Sequence, residues 1–241
     1  MLGPLDYVLW LITALLQIAV VVCAIRAKSF FKFFPLNFYM LAASLFTAAR
    51  YIMLQRYGFR SAQYFYIYFY SDFLLTICLF FALMALFAHV FSELGAKPYI
   101  RVGSLVVLSL TCAVSYLMVR QSQDLLVSRF VAELSQNLYF VGAILTYVLW
   151  AALRQLRETR TRLIQLSLAL GVNFSALAAH YALAVLYAAM YPNSAAWRIV
   201  PAVTGLWLPL AWGYTFLRVS ETARMSPARV VAGQRAVAGS R

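Results

Sequence analysis

The residues able to do chemistry are few, and most stand in strongly apolar surroundings. Asp72 lies deepest, about nine residues into the apolar run Gln63–Phe91. Arg50 falls near the end of the preceding run, and Glu133 and Asn137 open a later one. Asn173 and His180 stand inside the sixth run, and Arg198 begins the seventh. A charge in hydrocarbon is costly, so such groups face a cavity, a partner or the interface. An aspartate is too short to reach water from the depth of Asp72. It therefore either lines a cavity or makes a structural pair, with Arg50 or Arg198 as the available cations for Asp72 and Glu133. Arg50, Glu133 and Arg198 also lie near enough to the membrane surface to snorkel into headgroups. His180 has a second reading as a hydrogen-bonded core residue, and Asn173 as an interhelical hydrogen-bonding one.

Tyrosines gather around the same level, at Tyr57, Tyr64, Tyr66, Tyr68 and Tyr70. Tyrosine at a membrane–water boundary forms an interface belt, yet this spacing turns the rings in several directions. Some must point inward beside Asp72, where a phenol can hydrogen-bond a carboxylate. Tyr68, Tyr70 and Thr76 therefore join Asp72, Arg50, Glu133, Asn137, Asn173 and His180 as the candidate lining of a ligand cavity. Pro209, between Trp207 and Trp212, removes a backbone hydrogen bond and is expected to kink its helix, for packing or for gating.

Enzyme chemistry finds little support. There is no HExxH, no Gly-rich phosphate loop and no GxSxG elbow. Cys23, Cys78 and Cys112 have no CxxC spacing and sit in apolar runs as packing residues. No second buried aspartate partners Asp72 for intramembrane proteolysis. His89 and His180 are expected at different depths, which disfavours a shared haem. No catalytic residue, metal or cofactor is expected.

The elements that must position these groups are membrane helices. Of 241 residues, 64% are hydrophobic, 16% aromatic and only 11% charged, with a mean hydropathy of +0.81. Soluble domains carry about twice that charged fraction, so most of the surface must face lipid. Apolar runs of about twenty residues cross a bilayer as helices. Seven occur, at about 5–25, 36–54, 63–91, 100–119, 131–153, 161–191 and 195–219. The middle of the fourth holds Ser109, Thr111 and Ser115. The first lacks a basic leader and is expected to remain as a span. The fold expected is an all-α seven-helix bundle followed by a basic tail, 220–241.

Lys and Arg concentrate after the first, third, fifth and seventh runs, for example at Arg154, Arg157, Arg160 and Arg162. The positive-inside rule then places the N-terminus outside and the C-terminus in the cytoplasm. The net charge of +13 is read as this topology signal and as contact with anionic lipid, not as a nucleic-acid footprint. No internal repeat supports an inverted-repeat transporter.

Two resemblances follow from particular residues. The stretch Tyr70-Ser71-Asp72-Phe73-Leu74-Leu75-Thr76 resembles the third-helix motif of microbial rhodopsins, ordered Tyr-x-Asp-aromatic-x-x-Thr. It departs from that motif in having Phe69 for the Arg and Cys78 for the Pro. The seventh run also has no lysine to form a retinal Schiff base. From Phe34-Pro35 through Tyr64-Phe65-Tyr66 and Asp72 to His89-Val90-Phe91, the chain resembles seven-helix membrane proteins of bacteria, notably acidobacteria. That resemblance implies a seven-helix bundle of the bacterial cytoplasmic membrane with an acid at position 72, and it brings no activity.

The function expected is a receptor-like or sensory module whose outward polar cavity takes a small ligand. Its output would pass to a membrane or cytoplasmic protein at the basic inner face. An accessory subunit of a membrane complex is the alternative, and a small transporter is third, because the inner half offers few polar groups.

Overall fold

A computed structural model of the chain describes residues 4–58, 61–92, 95–120, 126–156, 158, 160–187 and 196–219, with side chains for all but 4–7, 126–128, 184–187 and 196–202. These residues form helices α1 (Pro4–Arg26), α2 (Phe34–Tyr57), α3 (Ala62–Val90), α4 (Lys97–Arg120), α5 (Leu126–Gln155), α6 (Thr161–Tyr187) and α7 (Ala196–Arg218). No strand occurs among them. The basic tail, 220–241, lies outside the described residues, as do the side chain of Arg198 and the end expected for the sixth run.

Each apolar run lies within or along one helix, and the helices overrun the apolar stretches where polar residues continue the backbone pattern. α5 begins at Leu126, before the apolar run opens, and carries Arg129 in its first turns. The α2–α3 connection shows why a turn falls where it does. Gly58 closes α2 at φ +78°, a conformation that suits glycine, and its N–H reaches the carbonyl of Leu54. Ser61 then caps α3 by accepting the N–H of Tyr64 at 3.2 Å.

Five helices are long and apolar enough to cross a membrane: α1, α3, α4, α5 and α6. α2 is less apolar because it carries Asn37, Arg50, Gln55 and Arg56. The side chains of α7 are described only from Val203 onward. Leu11, Leu15, Leu45, Leu110, Leu117, Ile144 and Leu217 all lie exposed on the outer surface. So continuous an apolar exterior suits lipid and not water.

Six helices close into a ring in the order α1–α2–α3–α5–α6–α7, with α7 returning to α1. α3 also touches α6 across the middle. α4 stands outside this ring, packed on α5 and α3. In one half of the bundle the ring is filled by apolar side chains, among them Leu83, Leu86, Leu166, Leu170, Trp212 and Phe216. Trp212 is fully buried there, with its indole N–H directed at the carbonyl of Leu166. α5 and α6 approach closely through glycines. A Cβ on Gly142 would overlap the ring of Phe174, and one on Gly171 would meet Thr146 and Trp150.

Polar side chains lock the filled end. Arg162, only 7% exposed, donates from Nη1 to Ser29 Oγ at 2.7 Å and from Nη2 to the Val219 carbonyl at 2.7 Å. One guanidinium thus joins the start of α6, the α1–α2 connection and the end of α7. Arg160 pairs with buried Glu158 at 2.6 Å and reaches the carbonyl of His89 at 3.2 Å. Both arginines were expected to meet headgroups or a partner, and both are instead drawn into the bundle. A buried acid and free carbonyls at this end offer them charge-assisted bonds. Burial, and then the nearby Arg160 and Arg162, hold the Lys32 ammonium below the usual lysine range.

Candidate functional site

The other half of the ring is not filled. It encloses a cavity of about 700 Å³ lined by all six ring helices and by no residue of α4. It runs from Tyr64, in the first turn of α3, down to Gln17 on α1, Tyr139 on α5 and Asn173 on α6. Pockets for small organic ligands span about 300–1,000 Å³.

Asp72 and Arg50 face each other on its wall because of the α2–α3 turn. Arg50 lies about 10 Å along the axis from the end of α2, and Asp72 about 15 Å from the start of α3. Antiparallel packing brings those depths together. Arg50 Nη2 stands 3.8 Å from Asp72 Oδ1, an ion pair longer than a hydrogen bond. The guanidinium is otherwise well held: Nε donates to Ser71 Oγ at 2.7 Å and Nη2 to the Tyr68 carbonyl at 3.2 Å. Its face covers the Tyr68 ring, 4.5 Å from the centroid. Asp72 is held less tightly. About a third of its side-chain surface is exposed, at 32%, and Arg50, at 3.8 Å, is the one described side chain paired with its carboxylate.

Below Asp72, Thr76 donates to the main-chain carbonyl of Asp72 at 2.9 Å. A hydroxyl has one proton, so the 2.9 Å contact between Thr76 and Tyr139 has the Tyr139 O–H as donor. This chain sets the Tyr139 ring against the cavity, stacked on Tyr181 at 5.5 Å. Two carboxamides lie at the bottom. Gln17 is 8% exposed, and its Oε1 has no partner among the described residues. Asn173 is 3% exposed and makes no hydrogen bond with any described residue. Opposite them, Gly205 and Pro209 line α7. Pro209 has no N–H to offer the Gly205 carbonyl one turn before it. Rings of Trp10, Phe65 and Phe69 cover the wall toward the end where α3 begins.

Of the nine residues singled out from sequence, Asp72, Arg50, Tyr68 and Asn173 line this cavity. The other five do not. Thr76 lies behind the wall, 1% exposed, supporting Asp72 and Tyr139. Tyr70 is on the outer surface, stacked on Tyr66 at 6.3 Å. Asn137 turns toward α4 and donates to Ser115 Oγ at 2.9 Å. Glu133, half-buried on α5, has no ion pair among the described residues. His180 packs edge-on against Tyr181, with ring centroids 5.9 Å apart. Depth is readable from sequence, but the facing of a helix that is apolar all round is not. Among the described residues the partner of the Asp72 carboxylate is Arg50 and not a tyrosine phenol.

Gln17, Tyr39, Trp10 and Gly205 were not among the sequence candidates, and Pro209 was named only for its effect on the helix. Gln17 carried a signal: an amide in mid-span needs a partner or a cavity as a charge does. No group of three or more metal-ligating side chains occurs among the described residues. No family model matches the chain, and no curated protein or solved structure shows significant similarity to it.

Proposed function

We propose that the chain is a seven-helix integral membrane protein, with the N-terminus outside, that binds a small ligand in the ring lumen as a receptor-like or sensory module. Under this topology the cavity faces outward and the filled half faces the cytoplasm. The observation that carries the reading is the combination of an unfilled lumen with unsatisfied polar groups. Gln17 and Asn173 make no side-chain hydrogen bond with a described residue, the Asp72 carboxylate has Arg50 at 3.8 Å as its one partner, and the three, from three helices, share one space. Buried polar groups are ordinarily bonded to protein, water or a ligand. A purely structural bundle gains nothing from keeping them open.

The same geometry disfavours transport, because Trp212, Leu83, Leu86 and Phe216 fill the ring beneath the cavity. A signal would instead pass through α3 and α6, which reach from the lumen to the packed end. The partner is proposed at the cytoplasmic face, where Arg154 remains exposed while Arg160 and Arg162 are engaged within the chain. No catalytic step and no cofactor are proposed.

The test is a thermal-shift screen of small metabolites against the full chain in lipid nanodiscs, wild type beside Asp72→Asn. The reading expects compounds that stabilise the wild type and lose that effect in the variant. Stabilisation that is indifferent to Asp72, or none across a chemically broad set, contradicts it.

A further inference from the structure

The charges and open valences of the lumen restrict what can occupy it. We infer that it takes a net-neutral zwitterion of the amino-acid class, with an ammonium and a carboxylate close together on a small, partly apolar body. The inference rests on the reading of the lumen as a ligand site.

Charge balance comes first. Asp72 and Arg50 are the charged side chains lining the cavity, so the wall is already neutral overall. A monocation or a monoanion would leave one charge uncompensated in a space of low dielectric, which is costly. A zwitterion adds a charge of each sign and leaves the total at zero.

The two wall charges are also open in complementary ways. The Asp72 carboxylate is exposed over about a third of its side chain and is met by a described residue only in the 3.8 Å contact with Arg50. It can receive an ammonium directly. Arg50 commits Nε and Nη2 to Ser71 and Tyr68, while Nη1 has no bond to a described residue. That nitrogen is the donor left for a carboxylate. A ligand dipole laid antiparallel to the Asp72–Arg50 pair sets each charge beside its opposite. For this its two charges must be separated about as far as the pair itself, 3.8 Å. Adjacent amino and acid groups meet that condition, and a long chain bearing charges at its two ends does not.

The floor and rim fit the remainder of such a molecule. The carboxamides of Gln17 and Asn173 each hold donors and an acceptor, so they can bond either end. The rings of Phe65 and Phe69, with centroids 4.3 Å apart, present an apolar wall for a side chain. Trp10 lines the same cavity from α1.

The experiment measures equilibrium binding of the protein amino acids to the full chain in nanodiscs. For each one that binds, the corresponding decarboxylated amine and deaminated acid are measured, beside a set of uncharged aromatics and polyols. At least one amino acid is expected to bind, with its amine and its acid each weaker by about ten-fold or more. Asp72→Asn, which keeps the side-chain shape, should weaken the amino acid by about ten-fold and leave the deaminated acid nearly unchanged. An amine that binds as tightly as its parent overturns the inference. So does binding of uncharged or singly charged compounds without any amino acid, and in both cases the lumen remains a ligand site. Failure of every compound in the panel overturns the inference and the ligand-site reading together.

Discussion

Asp72 and Arg50 illustrate how a charged pair in a membrane helix bundle can be held without being saturated. Arg50 is fixed by Ser71, by the Tyr68 carbonyl and by the Tyr68 ring, whereas Asp72 has one contact at 3.8 Å. Removing the cation should therefore hurt more than neutralising the acid. Breaking a buried pair from one side costs about 3–5 kcal/mol. With a third of Asp72 open to the lumen, Arg50→Met should cost about half of that. Asp72→Asn should cost less, and the double variant should recover much of the Arg50→Met loss, as read from unfolding midpoints in a double-mutant cycle. Additive losses would show that the pair is not coupled. The pairing was legible in the sequence as one of several options, because opposite charges at matching depth on consecutive helices have few other partners. Gln17 carries the same kind of signal in the sequence as Asn173, an amide within an apolar run, and both line the lumen. Thr76, Tyr70 and Asn137 were assigned to the cavity on depth alone, and depth does not say which way a side chain points.

Helices were the most legible feature, since about twenty apolar residues in a row leave few alternatives in lipid. What stayed hidden was their arrangement. α4 reads much like its neighbours in sequence, yet it stands outside the ring and contributes nothing to the lumen. Small residues set the α5–α6 contact, and this yields a prediction at the level of that pair. Gly142→Ala and Gly171→Ala should lower the thermal midpoint, because a methyl there meets Phe174, or Thr146 and Trp150. Overpacking costs about 1–3 kcal/mol, against a gain of about 1 kcal/mol in helix propensity. Since Phe174 is fully buried, the steric cost should dominate. Gly103→Ala on α4, with nothing within 4 Å, should be neutral or slightly stabilising. Equal behaviour of the three variants would argue against the close approach. The clasp at the filled end gives a second prediction. Arg162→Ala frees Ser29 and the Val219 carbonyl together. Hydrogen bonds to a charged group contribute about 1.5–3 kcal/mol, so a loss of that size should appear in the unfolding midpoint, and none would mean the clasp is incidental.

At the scale of the whole molecule, the bundle has two unlike ends. One is closed by buried aliphatic and aromatic packing and by Arg162, and the other contains a lumen of about 700 Å³ lined by polar groups such as Gln17, whose Oε1 has no partner among the described residues. In the topology proposed, the end with the lumen faces outward, because Lys and Arg favour the cytoplasmic side. Ser61→Cys, in the α2–α3 turn, should react with an impermeant maleimide from outside intact cells. Ala96→Cys, between α3 and α4, should react only after permeabilisation. The reverse pattern would turn the lumen toward the cytoplasm. The most direct test of the central claim is an experimental structure of the protein purified gently from its native membrane. Ligand density is expected inside the six-helix ring, in contact with Asp72 and within reach of Gln17 and Asn173. A dry lumen collapsed around a closed Asp72–Arg50 pair, with a second subunit seated on the bundle, would contradict it.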